Sequence, residues 1–175
     1  MNRKLRRLPN GIEIDQMNDY ETDFIYQEIF EEKVYHKDGI ILKQDSVVFD
    51  IGSNIGLFSL YCLLNFKNAR VYSFEPSPQL CDKIQYNTQD YAERIKIFQC
   101  GLSNKEGSAV FAFYPDYSII SGFKTDSTED VRTIKSGLIG NDDTKDEFEE
   151  ECINKMVEDK LSNKIDYDCP LRTLS

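Results

Sequence analysis

Two acidic residues, Asp50 and Glu75, each close a short apolar run, and a turn containing Gly52 and Gly56 follows the first. Val47-Val48-Phe49-Asp50-Ile51 reads as a buried strand that opens into Gly52-Ser53-Asn54-Ile55-Gly56. Val71-Tyr72-Ser73-Phe74-Glu75-Pro76 reads as a second strand, also tipped by an acid. The apolar stretch from Leu57 to Phe66 supplies a helix between them. Such a βαβ unit sets carboxylates at the tips of adjacent parallel strands, where open α/β sheets bind ligands. Two acids in that position suit a ligand that offers hydroxyls together with a positive charge.

The glycine spacing separates two ligand classes. A dinucleotide fingerprint, G-x-G-x-x-G, needs a glycine where this chain has Asn54, so that the backbone can approach a pyrophosphate. An asparagine would crowd that group, yet it can hydrogen-bond an amino-acid carboxylate or amine. Asp50 would repel a diphosphate, whereas it can hold an ammonium directly or through water. Glu75 can accept from both hydroxyls of a ribose, in charge-assisted bonds of the stronger kind. These properties favour S-adenosylmethionine over a nicotinamide dinucleotide. Taken alone, the glycines would only signal a tight turn with solvated acids beside it; the full conjunction makes that the minority reading. The expected cofactor-binding residues are Asp50, Gly52, Ser53, Asn54, Gly56, Glu75 and Pro76. Gly101 and Leu102, after a third strand, are expected against an adenine.

Several segments together resemble the FkbM family of S-adenosylmethionine-dependent methyltransferases, class I by fold. They are Asp50-Ile-Gly-Ser-Asn-Ile-Gly-Leu-Phe-Ser59, Phe74-Glu-Pro-Ser-Pro78 with Asn87, and Cys100-Gly-Leu-Ser-Asn104 with Gly107. The lead-in segments Arg7-Leu-Pro-Asn-Gly11 and Tyr20-Glu-Thr-Asp-Phe24 are similar too, as are Tyr114-Pro115 and Ser121-Gly122-Phe123. The likeness runs from Arg7 to Phe123 and resumes weakly at Leu171-Arg-Thr-Leu-Ser175. It implies a Rossmann-like, three-layer α/β/α core and methyl transfer to a hydroxyl acceptor, a small molecule or saccharide, as in natural-product biosynthesis. Members continue into further strands where this chain stops, so the resemblance implies a C-terminally truncated product or a sheet completed by another chain. The alternative functions are a split, catalytically incomplete module acting as cofactor binder or scaffold, and, less favoured, an NAD-dependent oxidoreductase.

The elements that must position these residues follow from periodicity and caps. Parallel strands are expected at Val47 to Ile51, Val71 to Phe74 and Ile95 to Gln99, in the order 3-2-1, with helices at Leu57 to Phe66 and Pro78 to Tyr91. A short strand is expected from Gly11 to Ile14. Asn18 or Asp19 should cap a helix from Tyr20 to Phe30, with Glu21 in a capping box. Its residues Tyr20, Phe24, Ile25, Ile29 and Phe30 are expected to face the sheet. Ser108 to Tyr114 suggests an added antiparallel strand, and Asp146 to Leu161 a second helix. The expected organisation is a single domain, 1–175: a lead-in at 1–45, the cofactor core at 46–125, an acidic helical insertion at 126–168 and the start of a remainder at 169–175. A sheet of three strands would leave an edge and apolar faces that invite self-association or pairing with a missing C-terminal segment.

Composition limits the partners. The 175 residues carry a net charge of −10, which argues against nucleic acid. Acids outnumber bases 14 to 6 between Asp126 and Asp168, so this stretch holds most of the imbalance. No apolar run is long enough to span a bilayer, and the basic start lacks a secretory apolar stretch. These features lead to a cytoplasmic expectation. The five cysteines, Cys62, Cys81, Cys100, Cys152 and Cys169, form no C-x-x-C pair, and no metal site is expected.

A general base for an oxygen acceptor is not evident. His36 is the one histidine and the weak catalytic candidate, since its ordinary pKa is near neutrality; a solvated loop histidine is the commoner outcome. Tyr35 beside it could approach the same mouth. The resemblance sets Tyr20, Glu21 and Thr22 over the cofactor, against a plain capping role. Tyr117, Ser118, Ser121 and Gly122 could form a loop near the acceptor, although turn chemistry alone selects such residues.

Overall fold

Leu5–Arg7 (β1) and Glu13–Asp15 (β2) pair antiparallel about a turn in which Gly11 takes a φ of 86°. In this computed structural model residues 3–37, 39–123, 155, 157, 159 and 161–174 are described. Asn18 caps the helix Asp19–Tyr26 (α1): its side-chain oxygen accepts from the Glu21 N–H at 2.9 Å. The Asn18 side-chain amide in turn donates to the Glu21 carboxylate, so the two side chains pair reciprocally at the helix start, much as in the expected box. The chain then loosens into a π-type turn at Gln27–Glu31. The orientation of α1 differs from the apolar pattern. Glu21, Thr22 and Tyr26 are buried with Ile29 beyond them, while Tyr20 and Phe24 are largely exposed. The capping box explains part of this, because a carboxylate already bonded at the helix start can be buried at lower cost.

The core is a parallel βαβαβ unit. Val47–Ile51 (β3) leads through Leu57–Asn65 (α2) to Arg70–Phe74 (β4), then through Pro78–Asn87 (α3) to Ile95–Phe98 (β5). The sheet order is β3-β4-β5, the expected 3-2-1 read from the other edge. Asp50 lies opposite Ser73, Ile51 opposite Phe74, and Phe74 opposite Phe98. The chain is therefore of the Rossmann-like α/β class. α2 is apolar on most sides and buries Leu57, Leu60, Cys62 and Leu63; each large side chain contributes roughly 1.5–3 kcal/mol. Arg94 closes its C-terminal end, donating to the oxygens of Leu63, Phe66 and Lys67 at 2.7, 2.9 and 3.0 Å, which satisfies carbonyls the helix leaves open. Ser77 caps α3, with Pro78 in the first turn, where its missing N–H has no consequence.

Beyond β5, Gly101–Leu102 (β6) pairs in parallel with Leu171 and Arg172. Gly107–Phe113 (β7) fits the expected added strand within a residue. Ile165–Arg172 (β8) is a strand that takes in the last residues of the acidic stretch 126–168, for which a helical insertion is expected. Ile165, Tyr167, Cys169 and Leu171 alternate with polar residues, a period-2 signal that Pro170 and the surrounding acids obscured. Residues 124–154, and with them much of the expected helix from Asp146 and Cys152, lie outside the described residues. Lys155, Val157, Asp159, Leu161 and Ser162 are helical.

The chain divides into two compact units, Met1–Ala109 with Cys169–Ser175, and Val110–Asp168. In the second, Tyr117 and Val157 form a small core with Ile120 and Leu161 packed on it. Ala112 bridges Gly122 there, and Phe111 meets Phe123 edge-on at 5.1 Å. No helix of the described residues is long and apolar enough to cross a membrane.

Candidate functional site

The ends of β3 and β4 bring Asp50, the Gly52-to-Gly56 turn and Glu75 together. After β3 the backbone enters the left-handed region three times, at Gly52 (φ 75°), Asn54 (φ 52°) and Gly56 (φ 80°). The first two positions reverse the chain, and the third launches α2. The Gly52 and Ser53 N–H groups both donate to the Phe74 oxygen, at 2.9 and 3.2 Å, which staples the turn to β4. The two glycines serve different ends. A Cβ on Gly56 would meet the Ile84 side chain at 3.1 and 3.2 Å, so this glycine lets α3 pack on the turn; a Cβ on Gly52 would meet nothing within 4 Å. Space therefore opens beside Gly52, on the turn between the two acids.

Both acids are buried and bonded. Ser59, on the first turn of α2, donates to Asp50 Oδ2 at 2.6 Å. The hydroxyls of Ser73 and Ser53 form a relay below, Ser73 to Ser53 at 2.6 Å and Ser53 to the Asp50 main-chain oxygen at 2.8 Å. Glu75 accepts from the Asn54 N–H through Oε2 and from the Ser77 N–H through Oε1, each at 3.0 Å. Burial nevertheless dominates the protonation of both groups. It raises the Asp50 carboxyl despite the bonds from Ser59 and Ser53. Burial also lifts Glu75 to about 7 against its two N–H donors, with the nearby Asp50 charge adding to the rise. Groups poised in this way cluster at functional sites.

The remaining expected residues fall as follows. Pro76 is buried between Glu75 and the α3 cap. Gly101 is buried and Leu102 half-buried where β6 begins. The Asn54 side-chain oxygen accepts from the Ile55 N–H at 2.8 Å, so it also braces its own turn. His36 is not brought to the strand tips: its ring packs on Tyr61 and Phe66, towards the carboxyl end of a helix about 13 Å long. Tyr35 lies nearer the acids. Its ring packs on Phe58 at 4.5 Å, and burial, Glu28 and Asp50 raise its phenol. In the lead-in, Tyr20 is exposed and Thr22 buried with its hydroxyl unpartnered. Tyr117, Ser118, Ser121 and Gly122 belong to the second unit, where Ser121 Oγ accepts from the Tyr114 N–H at 3.0 Å.

Ser59 and Asn87 were assigned no role from the sequence. Ser59 had a signal, a small polar residue in an otherwise apolar helix facing back along β3. Asn87 had none within its own helix, because its partners lie far away in the chain: its amide donates to the Ile55 oxygen at 2.8 Å and the Asp15 oxygen at 3.1 Å, while its oxygen accepts from the Asp15 N–H at 2.7 Å. The Asp15 carboxylate is itself held by Lys83 at 2.8 Å and Arg3 at 3.1 Å.

No protein-family model matches the chain. It is 36% identical over 137 residues to the 31-O-demethyl-FK506 methyltransferase FkbM of Streptomyces tacrolimicus, a match covering 77% of this chain and 52% of that protein. It is 44% identical over 115 residues to the AMB antimetabolite synthetase AmbE of Pseudomonas aeruginosa, covering 66% of this chain and 5% of that one. Among solved structures, methyltransferase FkbM from Methylobacillus flagellatus matches with 17% identity and a TM-score of 0.40, over 52% of this chain and 26% of its own. The chain thus spans about half the length of one of these curated relatives and a small part of the other.

Proposed function

Because the chain belongs to the FkbM methyltransferase family, we propose that its first unit binds S-adenosylmethionine and forms the cofactor half of an O-methyltransferase. The observation that carries this reading is the pair of buried acids, Asp50 and Glu75, flanking a left-handed glycine turn with open space at Gly52. The donor set fits the ligand. Glu75 spends one bond per oxygen on the Asn54 and Ser77 N–H groups and keeps further acceptor capacity for the two ribose hydroxyls. Asp50, fixed by Ser59, faces the ammonium end directly or through water. Gly52, Ser53 and Asn54 offer backbone to the amino-acid part, and Gly101 and Leu102 border the adenine. When bound, the sulfonium supplies an already activated methyl group. The chain's own contribution is to bind, orient and exclude water, so that an acceptor oxygen meets that carbon in line.

The acceptor in this reading is a hydroxyl or carboxyl of a small molecule or saccharide. The names of the relatives, an FK506 methyltransferase and an antimetabolite synthetase, support a natural-product context. We place the protein in the cytoplasm, in keeping with the free thiols of the four cysteines among the described residues, Cys62, Cys81, Cys100 and Cys169. A second reading, a cofactor-binding module without turnover of its own, draws on the half-length match. Transfer of label from methyl-labelled cofactor to an acceptor pool separates the two: turnover by the isolated chain supports the enzyme, and binding without turnover supports the module.

A further inference from the structure

Tyr35 stands half exposed beside the first turn of α2, where its ring meets the half-buried ring of Phe58, with centroids 4.5 Å apart and planes tilted by 44°. The two rings form an aromatic corner. Phe58 precedes Ser59, whose hydroxyl holds Asp50 at 2.6 Å, so the corner borders the first acid of the site. Burial raises the Tyr35 phenol, and the charges of Glu28 and Asp50 raise it further. Both carboxylates therefore lie within electrostatic reach of a ring that stays a neutral phenol. Among the described residues no Lys or Arg forms an ion pair with Asp50, Glu75 or Glu28. Nor, among them, does any group of His, Cys, Asp and Glu suit a metal ion.

The backbone that presents Tyr35 departs from regular structure twice. Glu28 lies in the π-type turn Gln27–Glu31. Lys33 then takes the left-handed region, φ 51° and ψ 48°, which is uncommon for a residue with a Cβ. A tight turn at Val34–His36 follows, with the His36 N–H donating to the Lys33 oxygen at 2.9 Å. Such departures recur at functional sites and ligand clamps. We propose, resting on the reading of the first unit as an S-adenosylmethionine site, that the Tyr35–Phe58 corner with Glu28 and Asp50 is an onium site that recognises the sulfonium of the methyl donor. An aromatic face attracts an onium cation, and carboxylates without a basic partner add to the attraction. S-adenosylhomocysteine has the same adenine, ribose and amino-acid end and lacks only the methyl group and the charge on sulfur. The corner therefore adds to the affinity for the methyl donor and not to that for its demethylated form. A surface tyrosine without this role would make no such distinction.

The test is calorimetric titration of the chain with S-adenosylmethionine and, separately, with S-adenosylhomocysteine, read as the ratio of the two dissociation constants. Tyr35→Leu is expected to shift that ratio towards S-adenosylhomocysteine by about 3-fold or more. Glu28→Gln should shift it the same way by about 2-fold or more. Tyr35→Phe retains the ring and should keep the ratio of the unmodified chain. Circular-dichroism melts establish that each variant is folded. A ratio unmoved by both Tyr35→Leu and Glu28→Gln overturns the inference. An equal loss of both ligands overturns it too, since it marks a contact to a part they share. A Tyr35→Phe variant that behaves like Tyr35→Leu removes the aromatic face as the cause and overturns it likewise. Absence of binding by either ligand overturns the cofactor reading and this inference together, whereas binding of both with an unmoved ratio overturns this inference alone.

Discussion

The side-chain amide of Asn87, the last residue of α3, donates to the main-chain oxygen of Ile55 at 2.8 Å. The same side chain exchanges two bonds with the backbone of Asp15, so one buried asparagine ties the lead-in hairpin to the turn that carries Gly52 and Gly56. Its position is held from behind by the ion pairs of Asp15 with Lys83 and Arg3. The shape of the turn therefore depends on a segment outside the βαβ unit.

Asn87→Ala is expected to lower stability by roughly 1–3 kcal/mol, because it strands buried backbone groups at Ile55 and Asp15. Under this account it also weakens S-adenosylhomocysteine binding by about 10-fold through a loosened turn. Denaturant unfolding and calorimetry read the two effects. Lost stability with unchanged affinity would show that the turn holds its shape without the brace.

The two glycines of the turn should respond differently to alanine. Both stand at positive φ, where a side chain costs roughly 1–2 kcal/mol. Gly52→Ala meets open space, so that strain is its whole stability effect, and its methyl intrudes where the cofactor is placed. Gly56→Ala adds the collision with Ile84 and should lower the midpoint further. Thermal melts of the two variants check the order; equal shifts would contradict it.

Ser59→Ala removes the hydroxyl that donates to Asp50 at 2.6 Å. The buried carboxyl then loses one of the bonds that oppose its rise, so it should titrate still higher than in the unmodified chain. A loss of roughly 1–3 kcal/mol at neutral pH is expected. Unfolding measured at pH 5 and pH 8 tests this, with the larger loss predicted at pH 8, where the ionised form needs the bond.

Glu75 gives stability and binding opposite pH dependences. Its folded carboxyl is raised by burial from an ordinary 4.5 to about 7. Between those values the folded state keeps a proton the unfolded state has lost. The contribution of this group is therefore fully present below pH 4.5 and declines as pH rises to about 7, by roughly 3 kcal/mol. Ribose hydroxyls favour the carboxylate, so cofactor affinity should fall as pH drops below about 7, with proton release on binding. The difference in unfolding free energy between the unmodified chain and Glu75→Gln isolates the first effect. Calorimetry in buffers of different ionisation enthalpy isolates the second. A difference that rises with pH over this window, or binding without proton release at pH 7, would contradict the assignment.

What was legible in the sequence is local. Val47 to Phe74 announces strand, turn, helix and strand because each element is specified by near neighbours, and Ser77-Pro78 marks a helix start by itself. Asp50, Gly52 and Gly56 lie inside that window, and Glu75 directly follows it. Asn87 belongs to the family likeness, but its bond to Ile55 escaped, since a long-range contact leaves no periodic trace. The rotation of α1 escaped because burial of Glu21 depends on Asn18 and on packing, not on the apolar pattern. β8 escaped because its alternation is diluted by Asp166, Asp168 and Pro170. His36 is a candidate base by residue type alone, a property that carries no information about position. The structure sets it on Tyr61 and Phe66.

The most direct measurement is calorimetric titration of the chain with S-adenosylhomocysteine and, separately, with NAD, repeated on Glu75→Ala. The account predicts saturable 1:1 binding of S-adenosylhomocysteine, no comparable binding of NAD, and a loss of roughly 1.5–3 kcal/mol on removing the Glu75 carboxylate. Tight NAD binding without S-adenosylhomocysteine binding, or S-adenosylhomocysteine affinity untouched by Glu75→Ala in a folded variant, would contradict it.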